Sequence, residues 1–157
     1  MTAVIVGLGS NLGDRERMLT SALDLLTKES TLRLVATSAI YETTAVGPEQ
    51  PDFLNAAARF ETTLSPHEVL AILLRTEAAL GRVRREKWGP RTIDLDILWM
   101  QDTSLADATL TIPHPQLMER PFALAPLVDV AKELTWAQVR CEQLGGIPRK
   151  IGFLSRS

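Results

Sequence analysis

The sequence predicts an α+β fold: a ferredoxin-like antiparallel sheet with helices on one face, which leaves the other face for an active site. The predicted elements run strand, helix, strand, strand, helix, strand, and this order is the first basis for the fold. The second basis is residue alternation in the third and fourth strands, which is typical of a sheet with one solvated face. The length of 157 residues predicts a single domain over residues 1–157, large enough to bury a core.

Hydrophobic patterning predicts the first two strands and the first helix. Residues 3–8 are an apolar, β-branched run that ends at Gly9, which indicates a buried strand. Asp14 can then cap a helix, because the apolar residues behind it recur at helical spacing: Met18, Leu19, Ala22, Leu23 and Leu26. Residues 32–41 predict the second strand.

The middle of the chain predicts a loop, a strand and a second helix. Residues 42–52 contain one glycine and two prolines and predict a loop, and residues 53–62 predict the third strand. Ser65 and Glu68 form a capping box that starts a helix, and Gly81 ends it.

The remaining residues predict a basic loop, a strand and a third helix. The loop covers residues 82–92 and the fourth strand covers residues 93–100. A turn at 113–115 and a helix at 122–131 follow. The tail after Val130 carries no pattern that predicts structure or function.

Bulk composition excludes several classes of protein. Apolar residues make up 45% and charged residues 23%, as in an ordinary globular protein. No apolar run reaches the ~20 residues of a membrane span, and no secretion signal opens the sequence. The net charge of −2 argues against a nucleic-acid partner. The single cysteine, Cys141, favours a cytoplasmic location.

The fourth predicted strand carries two aspartates with strict alternation. Side chains point to opposite faces in turn, so Ile93, Leu95 and Ile97 share one side and Asp94 and Asp96 share the other. The two carboxylates start ~6.6 Å apart and can lean onto shared cations. Mg²⁺ prefers one or two carboxylates with phosphate oxygens and water, and two such ions suit displacement at phosphorus.

A simpler interpretation is an exposed strand face that shows acids to water, and for an isolated pair it is the better one. Here five of the ten residues from Arg82 to Arg91 are basic, and they lead directly into the strand. Salt bridges to the aspartates would explain one pair of opposite charges but not the excess of arginine. A polyphosphate held between the basic loop and the metal-binding aspartates would explain both the arginines and the acids, and we favour this interpretation.

The third strand presents a different kind of surface on its open face. Alternation places Phe53, Asn55 and Ala57 together, opposite the core face. An aromatic ring beside an amide suits a flat heterocycle, because the ring stacks and the amide reads donors and acceptors. Taken alone, Asn55 is more often a structural amide, so this interpretation depends on the geometry.

Several motifs in this order resemble the 6-hydroxymethyl-7,8-dihydropterin pyrophosphokinase family. The most specific is KWGPRTIDLDIL at residues 87–98. The others are GSNLG at 9–13, PDFLNA at 51–56, GRVR at 81–84, and PHP at 113–115 followed by Arg120 and Phe122. Departures from the family pattern are Thr44, Leu74 and Pro115, where members often carry proline, glutamine and tyrosine.

The resemblance implies a monomeric enzyme that transfers pyrophosphate from ATP to the pterin hydroxymethyl group and releases AMP. It implies that Asp94 and Asp96 hold two Mg²⁺ ions and that Arg82 and Arg91 stabilise charge on the transferred group. The implied ATP contacts are Glu77, Arg84, His114 and Arg120, with an adenine pocket of Leu98, Thr111 and Ile112. The implied pterin contacts are Thr43, Thr44, Val46, Phe53, Asn55 and Phe122, with Trp88 closing over the ring.

Two other functions remain as alternatives. One is a different two-metal phosphoryl or nucleotidyl transferase on the same fold. The other is a small-ligand or RNA-binding module. RNA binding is disfavoured because aromatic residues make up only 5% of the chain and the net charge is negative. A binding module would also have no use for paired aspartates beside an arginine loop.

Overall fold

A computed structural model describes residues 1–11, 13–43, 52–81, 93–145 and 148–157. The strands are β1 (Thr2–Ser10), β2 (Arg33–Thr37), β3 (Ala39–Thr43), β4 (Phe53–Thr62), β5 (Asp94–Met100), β6 (Leu105–Ala106), β7 (Thr111–Ile112) and β8 (Arg149–Phe153). The helices are α1 (Arg15–Lys28), α2 (Pro66–Ala79), α3 (Pro121–Val130) and α4 (Thr135–Leu144), with a 3₁₀ turn at Leu117–Glu119. No helix in these ranges is long and apolar enough to cross a membrane.

The main sheet is antiparallel, and the predicted α+β class is confirmed. Its strand order is β5-β1-β4-β3-β8, with β2 also paired to β4. Because β1 lies between β4 and β5, Gly9 is the register partner of both Asn55 and Asp94. The order therefore brings the open-face residues of the third and fourth predicted strands to either side of one strand.

The single strand predicted at residues 32–41 is divided at Ser38 into β2 and β3. The buried Ser38 hydroxyl accepts a hydrogen bond from the Ala57 amide at 2.7 Å and donates one to the Ala39 carbonyl at 2.7 Å. A side chain that takes over a backbone partner interrupts the regular ladder. The strand therefore breaks where its own serine competes with the sheet.

Helices α1 and α2 cover one face of the sheet, as predicted. Their apolar stripes enclose the helix-side core, whose largest fully buried members include Phe60, Leu8, Leu19, Leu23 and Leu73. Both predicted helix starts are present: Asp14 accepts a hydrogen bond from the Arg17 amide, and Ser65 with Glu68 forms the capping box.

The opposite face is more covered than the sequence led us to expect. Helix α3 packs on it and, with α4, encloses the α3-side core, which includes Ile5, Leu98, Leu117, Leu124 and Leu127. The apolar α3 has buried residues around most of its circumference, so it needs a partner surface. Among the described residues, this face keeps a cavity lined by β1, β4, β5 and the start of α3.

Two acidic side chains anchor the elements around the site. Asp129 of α3 accepts hydrogen bonds from the Ala39 amide at 3.1 Å and the Tyr41 hydroxyl at 2.8 Å. Glu77 of α2 is buried and accepts one from the Leu95 amide at 2.7 Å. Since Leu95 lies between the two aspartates, Glu77 fixes the backbone of β5 where they project.

The tail after Val130, which carried no recognised pattern, forms α4 and the edge strand β8. Only Ala137 and Cys141 of α4 are buried, and the residues of β8 are exposed or half-buried. Strand β8 pairs with β3, and the Leu154 amide donates to the Ser38 carbonyl. The tail therefore extends the sheet at the side opposite β5.

Tyr41 should resist ionisation in the folded protein. Burial, reinforced by the hydrogen bond to Asp129, raises the pKa of its phenol. A raised native pKa means that the contribution of Tyr41 to stability is complete below the usual value of about 10 and is lost as the pH rises above it. Because Tyr41 is the chain's single tyrosine, tyrosinate absorbance should appear near pH 10 in denaturant and only at higher pH in the native state. Coincident titrations would contradict the buried contact.

Replacing Glu77 should weaken the fold through β5. Glu77→Ala removes the acceptor of a buried amide, so the free energy of unfolding should fall by about 1–3 kcal/mol. Glu77→Gln keeps a side-chain oxygen acceptor and should lose less. Urea unfolding of both variants measures this difference. Equal losses would show that the hydrogen bond to Leu95 does not carry the effect.

Candidate active site

Two adjoining cavities lie beside β5. The larger, of about 670 Å³, is lined by residues of α2, β5 and the β6–β7 hairpin. The smaller, of about 70 Å³, is lined by residues of β1, β4, β5 and the start of α3. Four residues line both cavities: Asp94, Asp96, His114 and Arg120. Two spaces of different shape therefore meet at a pair of carboxylates.

The predicted alternation of β5 is confirmed. Ile93, Leu95 and Ile97 belong to the helix-side core, while Asp94 and Asp96 are half-buried and border both cavities. The pleat thus presents both acids to the same space, as the strand period requires.

Two glycines of β1 lie opposite the two acids. Asp94 is the register partner of Gly9, and Asp96 is the partner of Gly7. A Cβ added to Gly9 would lie 3.0 Å from Asn55 Oδ1, and one added to Gly7 would lie 3.0 Å from a Leu98 methyl carbon. Glycine at these two positions lets the Asn55 amide and Leu98 lie close to the strand.

His114 and Arg120 form the other side of the junction between the cavities. The His114 amide donates to the Leu98 carbonyl at 3.0 Å, which ties the turn after β7 to β5. Burial first, and then the charge of Arg120, lowers the pKa of His114 against the opposing effect of Asp94. Nδ1 of His114 accepts from the Gln116 amide at 3.3 Å. In the neutral ring the proton is then on Nε2, which can donate to a ligand.

The smaller cavity has the polar and aromatic lining expected for a flat heterocycle. Asn55 and Phe122 line it, and the Arg120 guanidinium lies 5.4 Å from the centre of the Phe122 ring. The Asn55 amide nitrogen is 3.5 Å from Thr43 Oγ1, and Thr43 is the register partner of Phe53. Thr43, Phe53 and Asn55 therefore occupy neighbouring positions on β3 and β4.

Two of the predicted adenine contacts, Leu98 and Ile112, do not line the larger cavity as described, and their roles stay predictions. The side chain of Ile112 is 1% exposed and packs in the helix-side core, since β7 turns it away from its neighbour Thr111, which lines the larger cavity. The side chain of Leu98 is on the same face of β5 as the two aspartates, and it lines the smaller cavity beside Gly7. Of the three predicted adenine contacts, Thr111 is the one that lines the larger cavity.

Six predicted site residues lie outside the described residues. They are Arg82, Arg84, Arg91, Thr44, Val46 and Trp88. The converging basic loop and the closing tryptophan therefore stay predictions.

One wall of the larger cavity combines the predicted Glu77 with two leucines of α2 that were not predicted as site residues. Leu70 and Leu74 line it together with Glu77. Leu70, Leu74 and Glu77 are spaced by four and then three residues, so they form a second stripe on α2 beside the stripe that faces the core. Leu74 in this stripe is 46% exposed. That second stripe was the available sequence signal.

The β6–β7 hairpin forms another wall and is held by one aspartate. Asp107 Oδ1 accepts from the amides of Thr109 and Leu110, each at 2.9 Å, and Oδ2 lies 2.8 Å from His67 Nε2 on α2. The hydrogen bond from the Thr109 amide is the main reason that the pKa of Asp107 is lowered. No sequence pattern connected this hairpin to α2, because His67 and Asp107 are 40 residues apart in the chain.

The site fits a cation that is held jointly by protein and ligand. Among the residues that the structure describes, no group of three or more histidine, cysteine, aspartate or glutamate side chains is arranged to hold a metal ion. Two carboxylates alone are the donor set that Mg²⁺ uses when phosphate oxygens and water supply its other ligands. Asp94 and Asp96 match that set.

A family model for 7,8-dihydro-6-hydroxymethylpterin-pyrophosphokinase (HPPK) matches residues 5–132. Two relatives named 2-amino-4-hydroxy-6-hydroxymethyldihydropteridine pyrophosphokinase are similar over most of their length. The protein from Methylorubrum extorquens is 45% identical over 135 residues, which cover 85% of each chain. The protein from Bacillus subtilis is 43% identical over 130 residues, which cover 82% of this chain and 78% of that one.

Solved structures agree on the fold. A crystal structure of a triple mutant of Plasmodium falciparum HPPK-DHPS superimposes with a TM-score of 0.70 at 14% identity, over 90% of this chain and 43% of that one. The wild-type protein with pteroate gives a TM-score of 0.64 at 17% identity, over 82% and 39%. The predicted identity as a pyrophosphokinase of folate biosynthesis is confirmed by the named relatives, and the chain belongs to the 7,8-dihydro-6-hydroxymethylpterin-pyrophosphokinase family.

Proposed function

We propose that this protein transfers pyrophosphate from ATP to the hydroxymethyl group of 6-hydroxymethyl-7,8-dihydropterin and releases AMP. The observation that carries the proposal is the meeting of two cavities at Asp94 and Asp96. A transfer between two substrates needs both reacting groups at one point, and these carboxylates border both spaces.

The larger cavity suits the nucleotide. Its volume of about 670 Å³ lies within the usual range for a cofactor-sized ligand. Leu70 and Leu74 give an apolar wall for the base, while Arg120 and His114 lie at the end nearest the aspartates. Glu77 and Thr111 also border this space, in agreement with their expected place in the nucleotide site.

The lining of the smaller cavity has the chemistry to contact one side of a pterin ring, although its volume of about 70 Å³ holds only part of it. Asn55 can read the donors and acceptors of the heterocycle, and Phe122 and Phe53 supply aromatic faces. The Asn55 amide nitrogen lies 3.5 Å from the Thr43 hydroxyl oxygen. Thr44, Val46 and Trp88 are expected to complete the pterin contacts.

Asp94 and Asp96 would hold two Mg²⁺ ions between them and the phosphates. When bound, the ions neutralise the phosphate charge and bring the reacting groups into line. The pterin oxygen forms a bond to the β-phosphorus, and the bond from that phosphorus to the oxygen of the AMP leaving group breaks. Such a transfer asks the protein for positioning and charge stabilisation.

The side chains around the junction meet those two needs. Arg120 places positive charge beside the shared wall, and the neutral His114 can donate a hydrogen bond without adding charge. Arg82, Arg84 and Arg91 are expected to add further phosphate contacts. An arginine that acts on the transferred group is worth roughly 10³–10⁵ in rate.

We further propose that the protein acts as a single-domain monomer in the cytoplasm on small molecules alone. The single and buried cysteine, Cys141, fits a reducing compartment. The net charge of −2 gives no support for a nucleic-acid partner.

Nucleotide products should distinguish this reaction from its nearest alternatives. The protein with ATP, Mg²⁺ and the reduced hydroxymethylpterin should release AMP in step with pterin consumption. Chromatography of the nucleotides measures this. Release of ADP would instead identify a simple kinase, and release of pyrophosphate would identify a nucleotidyl transferase.

Neutralising either aspartate should remove turnover and spare the fold. Asp94→Asn or Asp96→Asn keeps the side-chain volume but removes a metal-binding charge, so kcat should fall by about 10²-fold or more. Asp102→Asn is a matched control: Asp102 is exposed in the turn after β5 at φ 52°, a conformation that asparagine tolerates. Near-normal Mg²⁺-dependent activity in either site variant would reject the two-metal proposal.

A further inference from the structure

Arg15 occupies an unusual place for a cation. It is the first residue of α1, directly after the Asp14 cap. The amino end of a helix carries partial positive charge and disfavours a basic side chain there. Its side chain is nevertheless only 29% exposed, so it is held against the protein.

The guanidinium of Arg15 joins two strands. Its Nη1 donates to Glu42 Oε2 at 2.8 Å and to the Asp52 carbonyl at 2.8 Å. Glu42 lies in β3, and Asp52 directly precedes β4. Arg149 of β8 binds the second carboxylate oxygen of Glu42. Hydrogen bonds from Arg149 and then from Arg15 lower the pKa of Glu42, so the carboxylate is charged at neutral pH.

The contacts of Arg15 directly precede two residues that neighbour Asn55, the amide of the smaller cavity. Glu42 precedes Thr43 and Asp52 precedes Phe53, and these two following residues are register partners. Thr43 in turn contacts the Asn55 amide. A charge-assisted hydrogen bond on each strand fixes the separation of the strand ends more strongly than neutral bonds would.

We infer that Arg15 is a positioning residue for the pterin half of the site, which rests on the proposed function. By fixing the ends of β3 and β4 against α1, it holds Thr43, Phe53 and Asn55 at the spacing that the heterocycle requires. Arg15, Glu42 and Asp52 line neither cavity, but Glu42 and Asp52 directly precede Thr43 and Phe53, which lie on the pterin side. The role therefore concerns pterin binding and leaves ATP binding unaffected.

The chain offers a matched control at the far end of β4. Arg33 of β2 pairs with Glu61 of β4, also across the sheet, but its side chain is 63% exposed and lies away from the site. Arg33→Met and Arg15→Met each remove one cross-strand cation and keep a similar apolar stem. Arg15→Lys keeps the charge and a donor.

The test is steady-state kinetics with AMP release as the readout, varying the pterin at saturating ATP and then the reverse. Arg15→Met should raise the KM for the pterin by about 3- to 10-fold, the loss of one charge-assisted contact. The KM for ATP and kcat should stay within about 2-fold. Arg15→Lys should recover part of the lost affinity, and Arg33→Met should match the wild type.

Three results would overturn the inference: an unchanged pterin KM, an equal rise in the KM for ATP, or the same change in Arg33→Met. Thermal unfolding checks that each variant is folded. If Arg15→Met does not fold, Glu42→Gln is the second test. This variant weakens the same hydrogen bond by changing its acceptor, and it should raise the KM for the pterin but not the KM for ATP. A wild-type protein that releases no AMP would overturn the proposed function and this inference together, whereas an active wild type with unaltered variants overturns the inference alone.

Discussion

The two-residue period of β5 is the constraint on which the site depends. A slip of one residue would turn both carboxylates into the helix-side core and the side chain of Leu95 to the opposite face of the sheet. Pairing with β1 fixes the register on one side, and the hydrogen bond from the Leu95 amide to Glu77 fixes it on the other. The acids are therefore placed by backbone contacts.

Features that depend on local pattern could be predicted from the sequence. The bounds of β4 agree with the prediction of residues 53–62, the capping box at Ser65 is present, and the parity of β5 is as expected. Each of these follows from neighbours within a few residues, such as alternation in a strand or a side chain that bonds its own helix start. For this reason Asp94, Asp96 and Asn55 could be assigned to their faces before the structure was known.

Features that depend on distant partners could not be predicted. The break at Ser38 requires the amide of Ala57, and the place of β8 requires the edge of β3, more than 100 residues earlier in the chain. Helix α4 has only two buried residues, so its apolar stripe is too narrow to stand out. The burial of Ile112 was not predicted either, because a two-residue strand turns its side chains to opposite sides and sequence alone did not reveal which side faced the core.

Strand β8 has a consequence for the behaviour of the protein at high concentration. It is the edge of the sheet as described, and an unprotected edge invites strand pairing between molecules. Arg149 and Lys150 project from it, the first toward Glu42 and the second over the Tyr41 ring, and Gly152 adds little to pack against. Two like charges on successive residues repel a second copy that approaches in the same way, so the chain's own tail guards against aggregation.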